Sequence, residues 1–262
     1  MTEREPEAAV AIVEAHSEPH SVLLIRRAER EGDSWSGHWS FPGGWRQAGD
    51  PDLLCAAIRE LQEECGVGLA REYMESALPH TLARRRVGRY VLVAPFVFRV
   101  ESEFSTILDP REAVEALWVP IARLRDPGQH ALRPAPGRPA NMLFPAVQLD
   151  HVPLWGFTYR LITDWLALGP KGQEAERAGF EAAESVLQFL LVHGLSQTSS
   201  WTERPDGGKA ISVSGEIPVD AVLRHFSEPG PPFPAINCLE VHPDRIRVAG
   251  LAWEEYFIEG SQ

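Results

Sequence analysis

The chain has 262 residues, 44% hydrophobic, 24% charged and 9% aromatic, a composition that calls for a packed core and excludes a disordered or fibrous protein. Its 37 acidic against 25 basic residues give a net charge of −12, which argues against a general nucleic-acid binder, since that role needs a basic surface. Three cysteines at wide spacing (Cys55, Cys65, Cys238) form neither a disulfide framework nor a zinc pattern, and no apolar run reaches the length of a membrane span. The acidic start, Met1 to Glu7, lacks the basic-then-apolar pattern of a signal peptide, so a cytoplasmic location is expected. An anionic small-molecule partner remains compatible with this charge, because a bound divalent cation reverses the local field.

Ala8 to Val13 and Ser21 to Ile25 are short, apolar runs with β-branched residues, parted by the acidic segment 14–20, and two strands are expected there. Arg26 to Ser40 is polar and contains glycine, which predicts a long loop. Phe41-Pro42-Gly43-Gly44 predicts a turn, since glycine accepts positive φ freely. Pro51 to Cys65 has helical periodicity, with Leu54, Ile58, Leu61 and Cys65 on one apolar stripe. Pro51 suits the first turn of that helix, Asp50 its cap and Gly66 its end. Tyr90 to Val100 is the clearest strand in the chain, and Pro95 is expected to mark an edge or a bulge.

Ala113 to Leu124 reads as a strand running into a short helical turn, and Asp126 to Asn141, rich in Pro and Gly, reads as loop. Leu154 to Leu168 and Glu174 to His193 are expected helices. The second carries an apolar stripe of Phe180, Val186, Leu187, Leu190 and Leu191, compatible with packing on the body of the protein, covering a site, or a homodimer contact. Past residue 170 the character changes, with Gly207-Gly208, the stretch from Pro229 to Pro234, and short strands at Ala210–Ser214 and Arg245–Ala249. The expected organisation is a domain over 1–170 and a smaller α/β appendage over 171–262.

The chemistry concentrates in Arg59-Glu60-Leu61-Gln62-Glu63-Glu64-Cys65-Gly66-Val67. On a helix Glu60, Glu63 and Glu64 stand at i, i+3 and i+4, so their carboxylates share one face and repel. A divalent cation offsets that repulsion, and Mg²⁺ prefers such oxygen ligands and bridges to substrate phosphates. An isolated cluster of this kind is more often a solvated acidic face; here a Gly-Gly segment directly precedes the same helix and shifts the balance.

Gly44 to Val67 resembles the Nudix box, in which glycine and a downstream glutamate precede Arg-Glu-U-x-Glu-Glu-x-Gly-U with U aliphatic. The second half matches in full from Arg59 to Val67. The first half departs: Asp50 stands where glutamate is usual, and eight residues rather than seven separate it from Arg59. That spacing, with Asp50-Pro51-Asp52, is similar to the coenzyme A pyrophosphatase branch. So is the upstream run Leu23-Leu24-Ile25-Arg26-Arg27, Ala28, Gly37 and Phe41 to Gly44, although Asp33 replaces an arginine of that signature. Arg26, Arg27 and Arg30 lie close by in the sequence to compensate. Asp109 to Glu115 followed by Leu117 to Pro120, and Leu154 to Thr158, are similar to later segments of the same branch.

The resemblance implies an α/β (α+β) fold, the Nudix α/β/α sandwich with a mixed sheet, extending over residues 8 to 168. It implies a pyrophosphohydrolase using Mg²⁺ or Mn²⁺, held by Glu60, Glu63, Glu64 and the Gly44 carbonyl. One of these glutamates, or Glu112 or Glu115, serves as base, and Arg59 orients the helix carboxylates. Asp50 is either the helix cap or an outer metal residue. Arg27, Phe41, Gly43, Glu112 and Trp155 are expected around the substrate; Phe41, Trp118 and Trp155 could stack on a base, although aromatic residues beside apolar ones are more often core. The implied substrate is a nucleoside-diphosphate-linked small molecule, with coenzyme A first. ADP-ribose, NADH and other nucleotides are the alternatives, as is a nucleotide sensor without turnover. Intact carboxylates favour catalysis over sensing.

Overall fold

The computed structural model describes residues 5–33, 35–86, 89–197, 200–228, 234–252 and 254–261; residues 1–4 of the acidic start and 229–233 of the proline-rich stretch lie outside them. The chain divides into two compact units, Met1–Arg125 with Arg160–Trp165, and Asp126–Tyr159 with Leu166–Gln262. Both are mixtures of sheet and helix, as the α+β expectation requires.

The first unit is an eight-stranded mixed sheet carrying a helix. Its elements are β1 (Ala8–Ala15), β2 (Ser21–Arg27), β3 (Trp39–Ser40), β4 (Gly43–Trp45), α1 (Leu53–Cys65), β5 (Met74–Ala77), β6 (Thr81–Arg86), β7 (Arg89–Val100), β8 (Ala113–Pro120) and α2 (Ile121–Arg125). The order is β3-β2-β1-β7-β5, with β4 on β1, β6 on β7 and β8 on β2. Strands β1 and β7 run parallel from Ala8 beside Val93 to Ala15 beside Val100, and β1 pairs antiparallel with β2 and β4. The period of two along β1 sends Ala9, Ala11, Val13 and Ala15 to one face, where they pack with Leu54, Ala57, Leu61 and Cys65 of α1. Leu61 is fully buried there.

Three local expectations are corrected. Gly43 and Gly44 form strand β4 rather than a turn, and neither has positive φ. Their reason is close approach: a Cβ on Gly43 would lie 2.4 Å from the Ala9 carbonyl oxygen, and one on Gly44 2.5 Å from Oε1 of Glu60. The cap of α1 is Asp52, whose carboxylate accepts from the Cys55 N–H at 2.8 Å; Asp50 is spent elsewhere. Asp52→Ala is expected to cost about 1 kcal/mol, read from the denaturant midpoint. Pro95 sits in a central strand, not at an edge. Its carbonyl accepts from Leu78 N–H where the neighbour of β7 changes from β6 to β5, so its missing N–H falls in the gap between them. At the other end of α1, Gly66 does adopt the left-handed conformation (φ 69°), as expected of a helix stop.

The second unit holds β9 (His130–Pro134), β10 (Met142–Leu149), β11 (Val152–Trp155), α3 (Gly156–Trp165, of which 160–165 belong to the first unit), α4 (Gln173–Val192), β12 (Ser196–Gln197), β13 (Thr202–Glu203), β14 (Lys209–Ser214), α5 (Val219–Phe226), β15 (Ile236–Val241), β16 (Arg245–Gly250) and β17 (Glu255–Ser261). Its sheet is nine-stranded. The compact units therefore do not follow the 1–170 and 171–262 division. Segment 130–155, in part expected as loop, forms three antiparallel strands, and β10 pairs with β15 at Met142–Glu240 and Leu143–Leu239. The apolar stripe of α4 is consumed in this unit: Val186, Leu187 and Leu190 are buried with Ile246, Val248 and Ile258 of the sheet. Among the described residues no helix is long and apolar enough to cross a membrane.

Candidate active site

Helix α1 and strand β4 build the site together. Glu60 and Glu64, one turn apart, lie on the side of α1 that meets β4. Oε2 of Glu64 accepts from the Gly43 N–H at 2.8 Å, and the side chain is only 3% exposed. Glu60 lies against Gly44, where any side chain would displace its carboxylate. Glu63 stands apart from both, with its side chain 52% exposed. The shared face expected for the three glutamates thus resolves into two inward carboxylates and one outward.

Arg59 ties this arrangement together. Its Nε and Nη2 each donate to a different oxygen of Asp50 at 3.0 Å, a fork-on-fork pairing, while Nη1 reaches Glu60 at 2.8 Å and Glu63 at 2.7 Å. Nη2 also donates to the Trp45 carbonyl at 3.0 Å, linking helix to strand. The Arg59 hydrogen bond to Asp50 is the main reason the Asp50 carboxyl sits below its ordinary pKa. Asp50 is thus the anchor of Arg59, a role invisible in its sequence position. Arg59 is itself held more firmly protonated, chiefly by Asp50.

Burial dominates the two inward acids. It pushes Glu64 up to about 8, against the Gly43 N–H and Arg27, with Glu60 and Glu112 adding repulsion. Glu60 is also raised, by burial first and by Glu63 and Glu112, with Arg59 opposing. Glu112, in the turn just before β8, therefore belongs to the same field although it is far away in sequence. It pairs with Arg30 at 3.0 Å, and Arg30 also donates to the Arg111 carbonyl. Glu115 does not join this group: it pairs with Arg26 at 2.9 Å across β2 and β8.

Arg27, at the end of β2, places Nη1 3.8 Å from Oε1 of Glu64 and Nη2 3.2 Å from Oδ2 of Asp33. Asp33 feels burial most, which raises its pKa, but the Trp35 amide and Arg27 together outweigh this and hold it below the ordinary value. Of the three aromatic residues expected as stacking surfaces or core, two are buried and one is half-buried. Phe41 is 3% exposed, and Trp118 packs edge-on to Phe104 and donates to its carbonyl. Trp155 is 7% exposed in the second unit, its ring 5.0 Å from that of Phe144. Phe41 and Trp155 are thus core residues, while Trp118 packs against the core from a half-buried position.

Among the described residues no three His, Cys, Asp or Glu side chains are already gathered into a metal cage. The donor set nonetheless suits a hard divalent cation. Glu60 and Glu64 could offer oxygen ligands to a cation, which would relieve their burial and mutual repulsion, and Glu112 adds a third negative charge to their field. Soft or imidazole ligands are not part of this group, which favours Mg²⁺ or Mn²⁺ over Zn²⁺.

A carboxylate helix docked against a glycine strand and braced by one arginine is thus the candidate site of this unit. The NUDIX domain profile matches residues 4–139, just over half of the chain. The chain belongs to the NUDIX domain family. A curated relative, the uncharacterized protein C14C4.10c of Schizosaccharomyces pombe, is 36% identical over 107 residues, covering 39% of this chain and 32% of that protein. The chain thus spans about a third of that relative's length. Among solved structures, the NUDIX domain of Shewanella oneidensis NrtR complexed with ADP ribose is 18% identical, covers 63% of this chain and 88% of its own, and superposes with a TM-score of 0.41. The Nudix hydrolase RenU from M. smegmatis is 22% identical, covers 45% and 72%, and gives 0.36. A C. elegans Ap4A hydrolase binary complex is 20% identical, covers 45% and 82%, and gives 0.35.

Proposed function

We propose that this protein hydrolyses the pyrophosphate bond of a nucleoside-diphosphate-linked small molecule in the cytoplasm, using Mg²⁺ or Mn²⁺. The observation that carries the reading is the buried Glu64 beside Glu60, both within the field of Glu112. Placing a buried carboxylate beside a half-buried one is costly, and such perturbed acids cluster at functional sites. When bound, the cation would neutralise phosphate oxygens and lower the pKa of a water. Glu60 and Glu64, with the Gly44 carbonyl, are the residues that would hold it, and Glu63 stands ready at the outer edge.

The chain's own groups supply the remaining steps. Arg59 keeps Glu60 in place through its bond to Oε1. The Arg27 guanidinium, beside Glu64, orients a phosphate oxygen of the substrate. Glu112 is the base: its carboxylate takes the proton of the attacking water once Arg30 turns from Glu112 to the substrate.

Coenzyme A or a derivative, cleaved to 3′,5′-ADP and 4′-phosphopantetheine, is the proposed substrate on the strength of the Leu23-to-Gly44 signature and the Asp50 spacing. Asp33 favours the second reading, ADP-ribose or NADH, because it brings a negative charge where that signature has a cation and is paired to Arg27. Product identification after incubation with coenzyme A, ADP-ribose and NADH, each with Mg²⁺ and with Mn²⁺, separates the two. With the preferred substrate, Glu112→Gln is expected to lower kcat by about 100-fold or more, and Glu115→Gln by less than about threefold. Equal effects of the two would remove Glu112 from its role.

A further inference from the structure

We propose that Asp33 is a positioning residue that holds Arg27 away from Glu64 and so keeps that carboxylate available to a cation; the inference rests on reading Glu64 as metal-facing. The geometry is a guanidinium shared between two carboxylates. Nη2 of Arg27 is within hydrogen-bond distance of Asp33, at 3.2 Å, while Nη1 stops 3.8 Å short of Oε1 of Glu64. Arginine beside a buried carboxylate ordinarily closes to about 2.7–2.9 Å. Here it has not closed, and its Nε is buried without a hydrogen-bond partner. That is the state of a guanidinium bound to Asp33 through one nitrogen and stopped short of Glu64.

Asp33 is fixed for this task by its own loop. Its Oδ1 accepts from the Trp35 N–H at 3.0 Å, its N–H donates to the Arg30 carbonyl at 3.2 Å, and its carbonyl accepts from the Ser36 N–H at 3.2 Å. The base of Arg27 is equally fixed, since its N–H donates to the His38 carbonyl at 3.0 Å. Both ends being anchored, the side chain of Arg27 is the part free to swing between the acids. Removing Asp33 leaves Glu64 as the nearer acid, and a guanidinium bound there competes with a cation for the same oxygen.

The test is Mn²⁺ titration of the full chain without substrate, free Mn²⁺ being followed by electron paramagnetic resonance. Asp33→Ala is expected to raise the Mn²⁺ Kd about tenfold. Asp33→Asn, which keeps an oxygen for the Trp35 amide and so preserves the loop, is expected to raise it by a smaller factor. In an Arg27→Ala background Asp33→Ala is expected to change nothing, because no guanidinium remains to be held. A purely structural role would weaken Mn²⁺ binding equally in both backgrounds, and that result overturns the proposal, as does an unchanged Kd in Asp33→Ala. A wild-type protein that binds no Mn²⁺ at millimolar concentration overturns the metal-site reading itself, and is recognised before any variant is compared.

Discussion

Glu64→Gln is expected to lower kcat by about 100- to 1,000-fold while leaving the fold intact. The amide oxygen still accepts from the Gly43 N–H, so the packing between α1 and β4 survives, but the charge that would face the cation is gone. Glu63→Gln is expected to cost far less, since Glu63 is half exposed and bound to Arg59. The stability of wild type and Glu64→Gln in EDTA should diverge with pH. Glu64 has a folded-state pKa of about 8 against an ordinary 4.5, so the fold favours its protonated form. That contribution is fully present below about pH 4.5 and is lost as pH climbs through 8. Metal-free wild type should therefore lose Tm between about pH 4.5 and 8, and Glu64→Gln should lose less. Mn²⁺ should flatten the wild-type curve and leave that of the variant unchanged. A wild-type curve that is as flat in EDTA as in Mn²⁺ would refute the burial argument.

Gly44→Ala and Gly43→Ala should fail in different ways. The atoms nearest a Cβ added at Gly44 are those of the Glu60 carboxyl, from 2.5 Å, the far end of a side chain that can turn aside by giving up its bond to Arg59. Activity should fall about 10- to 100-fold, with Tm shifted by only a few degrees, because the displaced carboxylate no longer faces the site. A Cβ added at Gly43 meets backbone, the Ala9 carbonyl oxygen at 2.4 Å and the Val10 Cα at 2.8 Å. Backbone cannot swing aside, so β4 must leave β1, and a loss of about 2–4 kcal/mol is expected from thermal or urea unfolding. Parallel losses of stability in both variants would mean that Glu60 is held as rigidly as the strand.

Much of the site was legible because it is local. The Arg59–Val67 run lies on one helix, and the period of 3.6 residues is enough to separate Leu61 and Cys65, which are buried in the core, from the acids. The strands at Ala8 and Ser21 and the stop at Gly66 were legible for the same reason: short-range pattern and φ preference decided them. The glycine pair misled because sequence reports only that a side chain is absent. It does not distinguish a positive φ from a neighbour pressed against the backbone. Asp50 and Asp52 stand two residues apart with the same chemistry, and only the positions of Arg59 and the Cys55 amide made one an anchor and the other a cap.

What the amino-acid order determined by itself was the family resemblance, the helix with its carboxylates, and the lack of a disulfide framework or of an apolar run long enough for a membrane-spanning helix. Tertiary structure alone decided that Glu64 and Glu60 face inward while Glu63 faces out, that Glu112 and not Glu115 joins them, and that Asp33 takes hold of Arg27. It also drew the strands at 130–155 into the second sheet and sealed Trp155 within it. The physical reason is range. Helix periodicity and capping act over a turn or two of chain, whereas burial and charge fields act through space and depend on which distant residues the sheet brings alongside.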